Sequence, residues 1–253
     1  MVLPPQAFVH SAVADLRGAP DAAAELVDQV HHREWLRVLG SRDGWHYVQA
    51  EDHYFGWIGE SAVQVLSVTG GRRIGVALAP VLREPDPAAE VVAHLPAGTP
   101  IPDTQQPDAP AGWARALGGY VHLDDVVASR DLPQRAPSGD DLVATAEAFL
   151  GAPYLWGGTT ALGIDCSGLA QQVYRLNGVR LDRDADQQAM EGRGVDVPAA
   201  GDLVFFGEER VAHVALATGE RTFIHAPRRG AKVERGELPA PGRTVRAIHR
   251  YLP

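Results

Sequence analysis

The chain has 253 residues, of which 45% are hydrophobic and 22% are charged, and its formal net charge is −9. A chain of this length and composition is expected to fold into two or more globular domains. The acidic balance, without a cluster of basic residues, argues against binding to nucleic acid or to an anionic membrane surface. We therefore expect no nucleic-acid partner and no membrane partner.

The N-terminal segment 1–16 does not have the pattern of a signal peptide. Pro4, Pro5 and His10 interrupt it, and it lacks a basic start and a continuous apolar stretch. No later segment approaches the run of about 18 apolar residues that a transmembrane helix needs. The sequence predicts a cytoplasmic protein, and its single cysteine cannot form an intrachain disulfide.

Two stretches of the N-terminal half resemble each other. The segment 16–27 returns at 82–92, Gly44-Trp45 returns as Gly112-Trp113, and Gly56-Trp57 returns as Gly119-Tyr120. Between these landmarks lie short runs of alternating apolar and polar residues, such as 35–39 and 45–49, which are typical of β-strands. The repeat predicts two small β-barrels in tandem, over 8–67 and 68–130.

The C-terminal half predicts helices first and a sheet afterwards. Residues 131–140 have the composition of a linker. Ser138 is the predicted N-cap of a first helix, and a second helix is predicted over 165–177, with Gly178 just past its end. Strands are predicted at 202–206, 211–217, 222–225 and 245–251. This order indicates an α+β domain over 141–253.

Cys166 lies at the predicted start of the second helix. A lone cysteine is most often an inert, buried, small apolar residue. A helix N-terminus, however, carries partial positive charge and unpaired N–H groups, which favour the thiolate. We therefore expect the pKa of Cys166 to lie below the ordinary value of about 8.5.

A thiolate nucleophile needs a base, and the base needs an orienting group. His213 and His225 lie on consecutive predicted strands joined by a turn near Gly219, which would place the two imidazoles side by side. The alternative is that both are ordinary polar strand residues. A zinc site is also conceivable from one Cys and two His, but no second Cys or carboxylate has metal-ligand spacing. We expect no metal and no cofactor.

Several motifs occur together in a fixed order. They are Tyr154-Leu155-Trp156-Gly157-Gly158, Asp165-Cys166-Ser167-Gly168-Leu169, the segment 201–206, His213-Val214 and Ile224-His225-Ala226. Over 140–253 this set resembles the NlpC family of cell-wall cysteine peptidases, and the two preceding repeats resemble bacterial SH3-type domains. The resemblance implies a papain-like fold with Cys166, His213 and His225 as its triad.

The three-part layout is similar to that of γ-D-glutamyl-L-diamino-acid endopeptidases of murein recycling. These enzymes cleave after γ-linked D-Glu in L-Ala-γ-D-Glu-diamino acid and prefer a free N-terminal L-Ala. A free amine is a cation with three donors, so carboxylates are expected to bind it. The resemblance implies one oxyanion donor, Tyr154, and a set of substrate-binding residues: Glu25, Tyr54, Trp156, Asp165, Ser167 and Asp184.

Other roles stay open for three of these residues. Glu25 is matched by Glu90 in the second repeat, which fits a structural role equally well. Tyr154 could pack under the second helix, and Asp165 could be the cap of that helix. At the level of function, the alternatives are an exported hydrolase of intact cell wall, a catalytically inactive wall-peptide binding module and an acyltransferase.

Overall fold

The computed structural model describes residues 6–64, 71–101, 109–128 and 136–253. The chain divides into two compact units, Met1–Leu132 and Pro133–Pro253. The predicted boundary at 67/68 and residues 131–135 of the predicted linker lie outside the described residues. Within the described ranges, no helix has the length and apolar character needed to cross a membrane.

The first part of the N-terminal unit is a single sheet of seven strands. The strands are β1 (Gln6–Val9), β2 (Val13–Arg17), β3 (Leu26–His31), β4 (Trp35–Arg42), β5 (Trp45–Gln49), β6 (Phe55–Gly59) and β7 (Val63–Gln64). They are hydrogen-bonded in the order β3-β2-β6-β5-β4-β1-β7. Leu16, Leu36 and Ile58 are fully buried between them, as the alternating pattern predicts.

The second part of this unit has its own apolar cluster, around Val81, Leu95 and Val121. Its strands are β8 (Arg72–Ile74), β9 (Leu78–Leu82), β10 (Val91–Pro96), β11 (Pro100–Ile101), β12 (Trp113–Ala116), β13 (Gly119–His122) and β14 (Val126–Ala128). They form a four-stranded sheet, β10-β9-β13-β12, and a three-stranded sheet, β11-β8-β14. The closure of either part into a barrel stays a prediction.

The sequence repeat is a repeat of local structure. Asp21 accepts a hydrogen bond from the backbone N–H of Ala23, and Asp86 accepts the equivalent bond from Ala88, both at 2.9 Å. Short polar side chains that bond their own backbone two residues on favour such turns. The same Asp-centred turn therefore connects β2 to β3 in the first copy and β9 to β10 in the second.

The C-terminal unit begins with α1 (Gly139–Glu147). The predicted cap is confirmed, because Ser138 accepts from the N–H of Asp141 while the Asp141 carboxylate accepts from the N–H of Ser138. A short hairpin, β15 (Thr159–Thr160) and β16 (Gly163–Ile164), leads into α2 (Cys166–Leu176), and α3 (Ala185–Gln188) follows. Gly178, at φ +79°, ends α2 as expected, since a left-handed residue at this point suits glycine.

A six-stranded antiparallel sheet completes the unit. Its strands are β17 (Arg193–Gly194), β18 (Leu203–Phe206), β19 (His213–Ala217), β20 (Thr222–His225), β21 (Glu234–Glu237) and β22 (Val245–Arg250), in the order β17-β22-β18-β19-β20-β21. The four predicted strands are confirmed to within two residues, whereas β17 and β21 are additions. One face of the sheet contributes Phe205, Val214 and Ile224 to the core that α1 and α2 cover.

Candidate active site

Asp165 fixes the start of α2 and thereby the position of Cys166, the first residue of that helix. Its carboxylate caps the helix by accepting from the N–H of Gly168 at 2.7 Å, and it also accepts from the N–H of Gly157 at 2.7 Å. The helix and the 157–158 turn approach closely, since a Cβ at Gly168 would lie 2.4 Å from the Gly158 carbonyl oxygen. The capping role that the sequence left open for Asp165 is confirmed.

Arg183 is a residue of this site that the sequence reasoning passed over. Its guanidinium is buried and binds both carboxylate oxygens of Asp165, at 2.8 and 3.1 Å. It also donates to Ser167 Oγ at 3.0 Å. Such a two-pronged pair is the geometry in which Arg binds carboxylates most strongly. Arg183 thus stabilises the first turn of α2 through its contacts with Asp165 and Ser167.

The environment of the Cys166 thiol differs from the one expected. Burial raises its pKa to about 11, and the neighbouring Asp165 carboxylate adds to the increase. The backbone N–H groups of Val214 and Ser167 face the sulfur and act in the opposite direction. The prediction of a lowered thiol pKa is therefore wrong, because the cost of placing a charge away from water exceeds the benefit of the helix N-terminus.

The two predicted histidines are brought together. His213 Nε2 lies 2.8 Å from His225 Nδ1, and both residues are buried. Val214, whose N–H faces the Cys166 sulfur, directly follows His213. The thiol therefore faces the start of β19, next to the residue that follows His213.

The expectation that the two imidazoles lie side by side is confirmed, since their ring centroids are 5.0 Å apart. The observed register pairs Leu216 with Ile224 and Ala217 with Phe223, so His213 and His225 lie diagonally on one face of the sheet. Diagonal neighbours in an antiparallel pair are about 7–8 Å apart, which long rings can span. The two imidazoles are large enough to form a hydrogen bond across this diagonal, although the two residues are not direct cross-strand partners.

Both imidazoles are neutral over a wide pH range. Burial, together with a smaller effect of the positive charge of Arg243, lowers the pKa of His213 to about 2 and that of His225 to about 4. A neutral imidazole keeps a lone pair that can accept a proton. The pair therefore has the protonation state that a general base requires.

This shift gives a pH prediction. Because neither imidazole takes up a proton until the pH falls to about 4 or lower, kcat/KM should show no inflection near pH 6.5 and should decline only below about pH 5. The measurement is kcat/KM for peptide hydrolysis from pH 4 to 8 in buffers of constant ionic strength. An inflection at the ordinary histidine value would contradict the buried, neutral pair.

Tyr154 lies beside the thiol at the edge of the core. Its backbone N–H donates to the carbonyl of Ala231 at 2.9 Å, and its ring packs against the apolar cluster under α2. Burial raises its pKa to about 12, and the charges of Cys166 and Asp165 contribute to the shift. Tyr154 is thus a protonated hydroxyl donor near the sulfur, and it also has the packing role that the sequence left open.

The other predicted binding residues of this unit lie around the same helix. Ser167 is buried, and its hydroxyl contacts Asp165 at 3.3 Å as well as Arg183. Asp184 precedes α3, and its N–H donates to Gln187 Oε1 at 3.0 Å. Trp156 is 55% exposed, as a residue of a pocket wall would be. Direct contact of any of them with substrate stays a prediction.

Glu25 and Tyr54 belong to the N-terminal unit. Glu25 is exposed just before β3, and Tyr54 is half-buried just before β6. In the second repeat, Glu90 forms an ion pair with Arg83 at 2.7 Å. The matching Arg17 binds Asp15 and the carbonyl of Ala24.

No group of three or more His, Cys, Asp or Glu side chains within 6–64, 71–101, 109–128 and 136–253 is arranged to hold a metal ion. A thiol, a neutral imidazole and a second imidazole that orients the first are the components of nucleophilic acyl transfer.

Two family models match the chain. Residues 151–249 match the NlpC/P60 family, and residues 16–77 match the bacterial dipeptidyl-peptidase Sh3 domain. A crystal structure of an NlpC/P60 family protein from Bacillus cereus superposes with a TM-score of 0.84 at 24% identity and covers 98% of this chain and 100% of that chain. This likeness supports the fold.

Curated relatives extend the similarity. Dipeptidyl-peptidase 6 of Lysinibacillus sphaericus is 31% identical over 254 residues, which are 92% of this chain and 91% of the relative. Gamma-D-glutamyl-L-lysine dipeptidyl-peptidases of Bacillus cereus and Bacillus subtilis are 36% and 40% identical over 58% and 46% of this chain. The matched segments span only 45% and 40% of those two relatives.

Proposed function

The chain belongs to the NlpC/P60 family of cysteine peptidases, and we propose that it hydrolyses the bond between γ-D-Glu and the diamino acid in murein peptides with a free N-terminal L-Ala. One observation carries this proposal. The only cysteine of the chain lies at the start of α2, and its sulfur faces the backbone N–H of Val214, the residue after His213, which is hydrogen-bonded to His225. The names of the two gamma-D-glutamyl-L-lysine dipeptidyl-peptidase relatives support the choice of bond.

The first step is attack of the Cys166 sulfur on the γ-glutamyl carbonyl carbon. Thiol and imidazole are both neutral in the free protein, because burial raises the pKa of the one and lowers the pKa of the other. The proton therefore passes from sulfur to His213 Nδ1 as the sulfur–carbon bond forms, and not before substrate binds. His225 holds the His213 ring through Nε2 during this transfer.

The carbonyl oxygen becomes an oxyanion that needs donors. The backbone N–H of Cys166 lies in the first turn of α2, where helical geometry supplies no acceptor for it. The Tyr154 hydroxyl stays protonated, because its pKa is raised to about 12. These two donors stabilise the charge that develops in the transition state.

The intermediate collapses when the carbon–nitrogen bond breaks, and His213 returns its proton to the departing amine of the diamino acid. A water molecule then gives a proton to His213 and attacks the thioester. The products are L-Ala-D-Glu and the peptide that begins with the diamino acid, and the thiol is regenerated. The same imidazole serves in both half-reactions.

Selection of a free amine follows from charge. The ammonium of L-Ala offers three donors, and the Asp184 carboxylate beside α3 is the acceptor that we assign to it in the C-terminal unit. Roles for Glu25 and Tyr54 in the same recognition are predictions from the resemblance. A preference for a free amine suits turnover fragments, and this supports our proposal that the enzyme acts in murein recycling in the cytoplasm.

The test is incubation with L-Ala-γ-D-Glu-diaminopimelate and mass analysis of the products. We expect L-Ala-D-Glu and free diaminopimelate, and we expect N-acetylation of the L-Ala to lower kcat/KM at least about tenfold, since a charge-assisted hydrogen bond contributes about 1.5–3 kcal/mol. Equal rates for the free and acetylated peptides would remove the amine-binding proposal. Cleavage of intact sacculi at a similar rate would favour an exported wall hydrolase instead.

A further inference from the structure

The hydrogen bond between the two histidines can hold its protons in two ways, and only one of them leaves His213 able to act as base. A neutral imidazole has one N–H and one lone pair. If His213 donates through Nε2, its Nδ1 lone pair is free, and His225 must carry its own proton on Nε2. If His225 donates through Nδ1, the proton of His213 lies on Nδ1 and the base is blocked. The group that faces His225 Nε2 therefore decides between the two.

That group is a carboxylate on the neighbouring strand. Glu234 on β21 is the direct cross-strand partner of His225 on β20. Its Oε1 atom lies 3.8 Å from His225 Nε2, where the histidine side chain is 8% exposed and the glutamate side chain 59% exposed. This distance is too long for a direct hydrogen bond but can be spanned through one bridging water. A water that donates to the carboxylate presents a lone pair to His225, so it favours a donor, and not a lone pair, on Nε2.

Within the described residues, the other groups that contact or act on His225 do not provide such an acceptor. Arg243, which donates to the carbonyl of Pro227 at 3.1 Å, is a cation and disfavours a second proton on either imidazole. His213 is hydrogen-bonded to Nδ1 of His225, on the other side of the ring from Nε2. Phe223, at 4.9 Å between ring centroids, is apolar. The Glu234 carboxylate, 3.8 Å away, is therefore the anionic group beside His225 Nε2 in the part of the chain that the structure describes.

We propose that Glu234 is a positioning residue that keeps the His225 proton on Nε2 and so leaves Nδ1 of His213 free to accept the thiol proton. Four side chains are thus connected in series, in the order Glu234, His225, His213 and Cys166. Glu234 sets which ring nitrogen of His225 is protonated, and His225 in turn sets which ring nitrogen of His213 can accept the thiol proton. This inference rests on the proposed function only in taking His213 as the base of a thiol nucleophile.

The direct test reads the tautomers without any substrate. In protein labelled with ¹⁵N-histidine at pH 7, two-bond proton–nitrogen spectra identify which ring nitrogen carries the proton. We expect His225 to be protonated on Nε2 in the wild type and to shift towards Nδ1 in Glu234→Val, since valine suits a strand but accepts no hydrogen bond. Glu237→Val, at an exposed position on the same strand, should leave the tautomer unchanged.

Kinetics supply the second readout. Alkylation of Cys166 by iodoacetamide at pH 7 and kcat on the murein tripeptide should both fall about tenfold in Glu234→Val, with KM unchanged, as is typical when an outer partner of an active histidine is removed. Glu234→Gln should lose less, because its amide oxygen still accepts. Glu237→Val should match the wild type. Thermal unfolding of each variant verifies that the fold is retained.

The outcomes separate this inference from the proposed function. A wild-type His225 protonated on Nδ1, or a tautomer that Glu234→Val leaves in place, would overturn the role of Glu234 even if the tripeptide is cleaved. A tautomer shift together with slower alkylation would support that role even if the tripeptide is not cleaved, in which case only the substrate assignment fails.

Discussion

Replacement of Cys166 with alanine should abolish hydrolysis of L-Ala-γ-D-Glu-diaminopimelate while the protein stays folded. The chain has no other cysteine, so no second thiol can replace the lost nucleophile. The residue is half-buried and only borders the core cluster, so the loss of one sulfur atom removes little packing. Removal of a nucleophile from a triad typically costs on the order of 10⁴- to 10⁶-fold in rate.

The measurement is kcat by product mass, with unfolding of both proteins as the control for structure. Cys166→Ser is the matched variant, since it keeps the shape of the side chain but has a hydroxyl whose pKa lies far above that of a thiol. We expect both variants to unfold like the wild type and to be inactive. Turnover by Cys166→Ala at a rate near that of the wild type would end the assignment of Cys166 as nucleophile.

Replacement of Arg183 with leucine should destabilise the C-terminal unit by about 3–5 kcal/mol. The variant leaves the Asp165 carboxylate buried without its cation, although the N–H donors of Gly157 and Gly168 remain. It also removes the donor to Ser167 Oγ. A loss of this size is a large part of the 5–15 kcal/mol that stabilises an ordinary domain.

The chain offers a matched control for this change. Arg235 and Glu147 form an ion pair at 2.7 Å, nearly the same length as the 2.8 Å pair of Arg183 and Asp165, but their side chains are 55% and 45% exposed. Arg235→Leu should therefore cost less than about 1 kcal/mol. Native-state hydrogen exchange of the α2 amides measures both losses in the intact protein. Similar values for the two variants would mean that burial does not set the strength of the Arg183 pair.

Much of the C-terminal fold is predictable from local signals. Ser138 and Gly178 mark a helix start and a helix end through backbone chemistry that depends on a few neighbouring residues. The apolar runs of β18, β19 and β20 identify three central strands in the same way. Cys166 and the two histidines could be predicted because each lies at an end of one of these elements: Cys166 begins α2, His213 begins β19 and His225 ends β20.

The parts that were missed depend on contacts between distant segments. Arg183 binds Asp165 across 18 positions, and nothing in the residues around it distinguishes a buried guanidinium from an exposed one. The strand β21, Glu-Arg-Gly-Glu, is polar and lies at the sheet edge, so it has no alternating apolar pattern. The diagonal register of His213 and His225 is set by the pairing of Leu216 with Ile224, which the turn sequence did not specify.

The pKa of the thiol shows the limit of reasoning from one interaction. The helix N-terminus predicted a lower value, and the N–H groups of Ser167 and Val214 do act in that direction. Burial and the Asp165 charge act against them and dominate. The Asp165 charge is visible in the sequence next to Cys166, but the burial of the thiol is not, because it depends on how the sheet packs against the helix start.

The most direct test of the nucleophile is capture of the acyl-enzyme. The protein is mixed with L-Ala-γ-D-Glu-diaminopimelate, quenched in acid within milliseconds and measured by intact mass and peptide mapping. We predict a mass increase of one L-Ala-D-Glu acyl group on the peptide that contains Cys166, and none in Cys166→Ala. Product formation without any adduct on Cys166, or an adduct on another residue, would contradict a thioester at this cysteine.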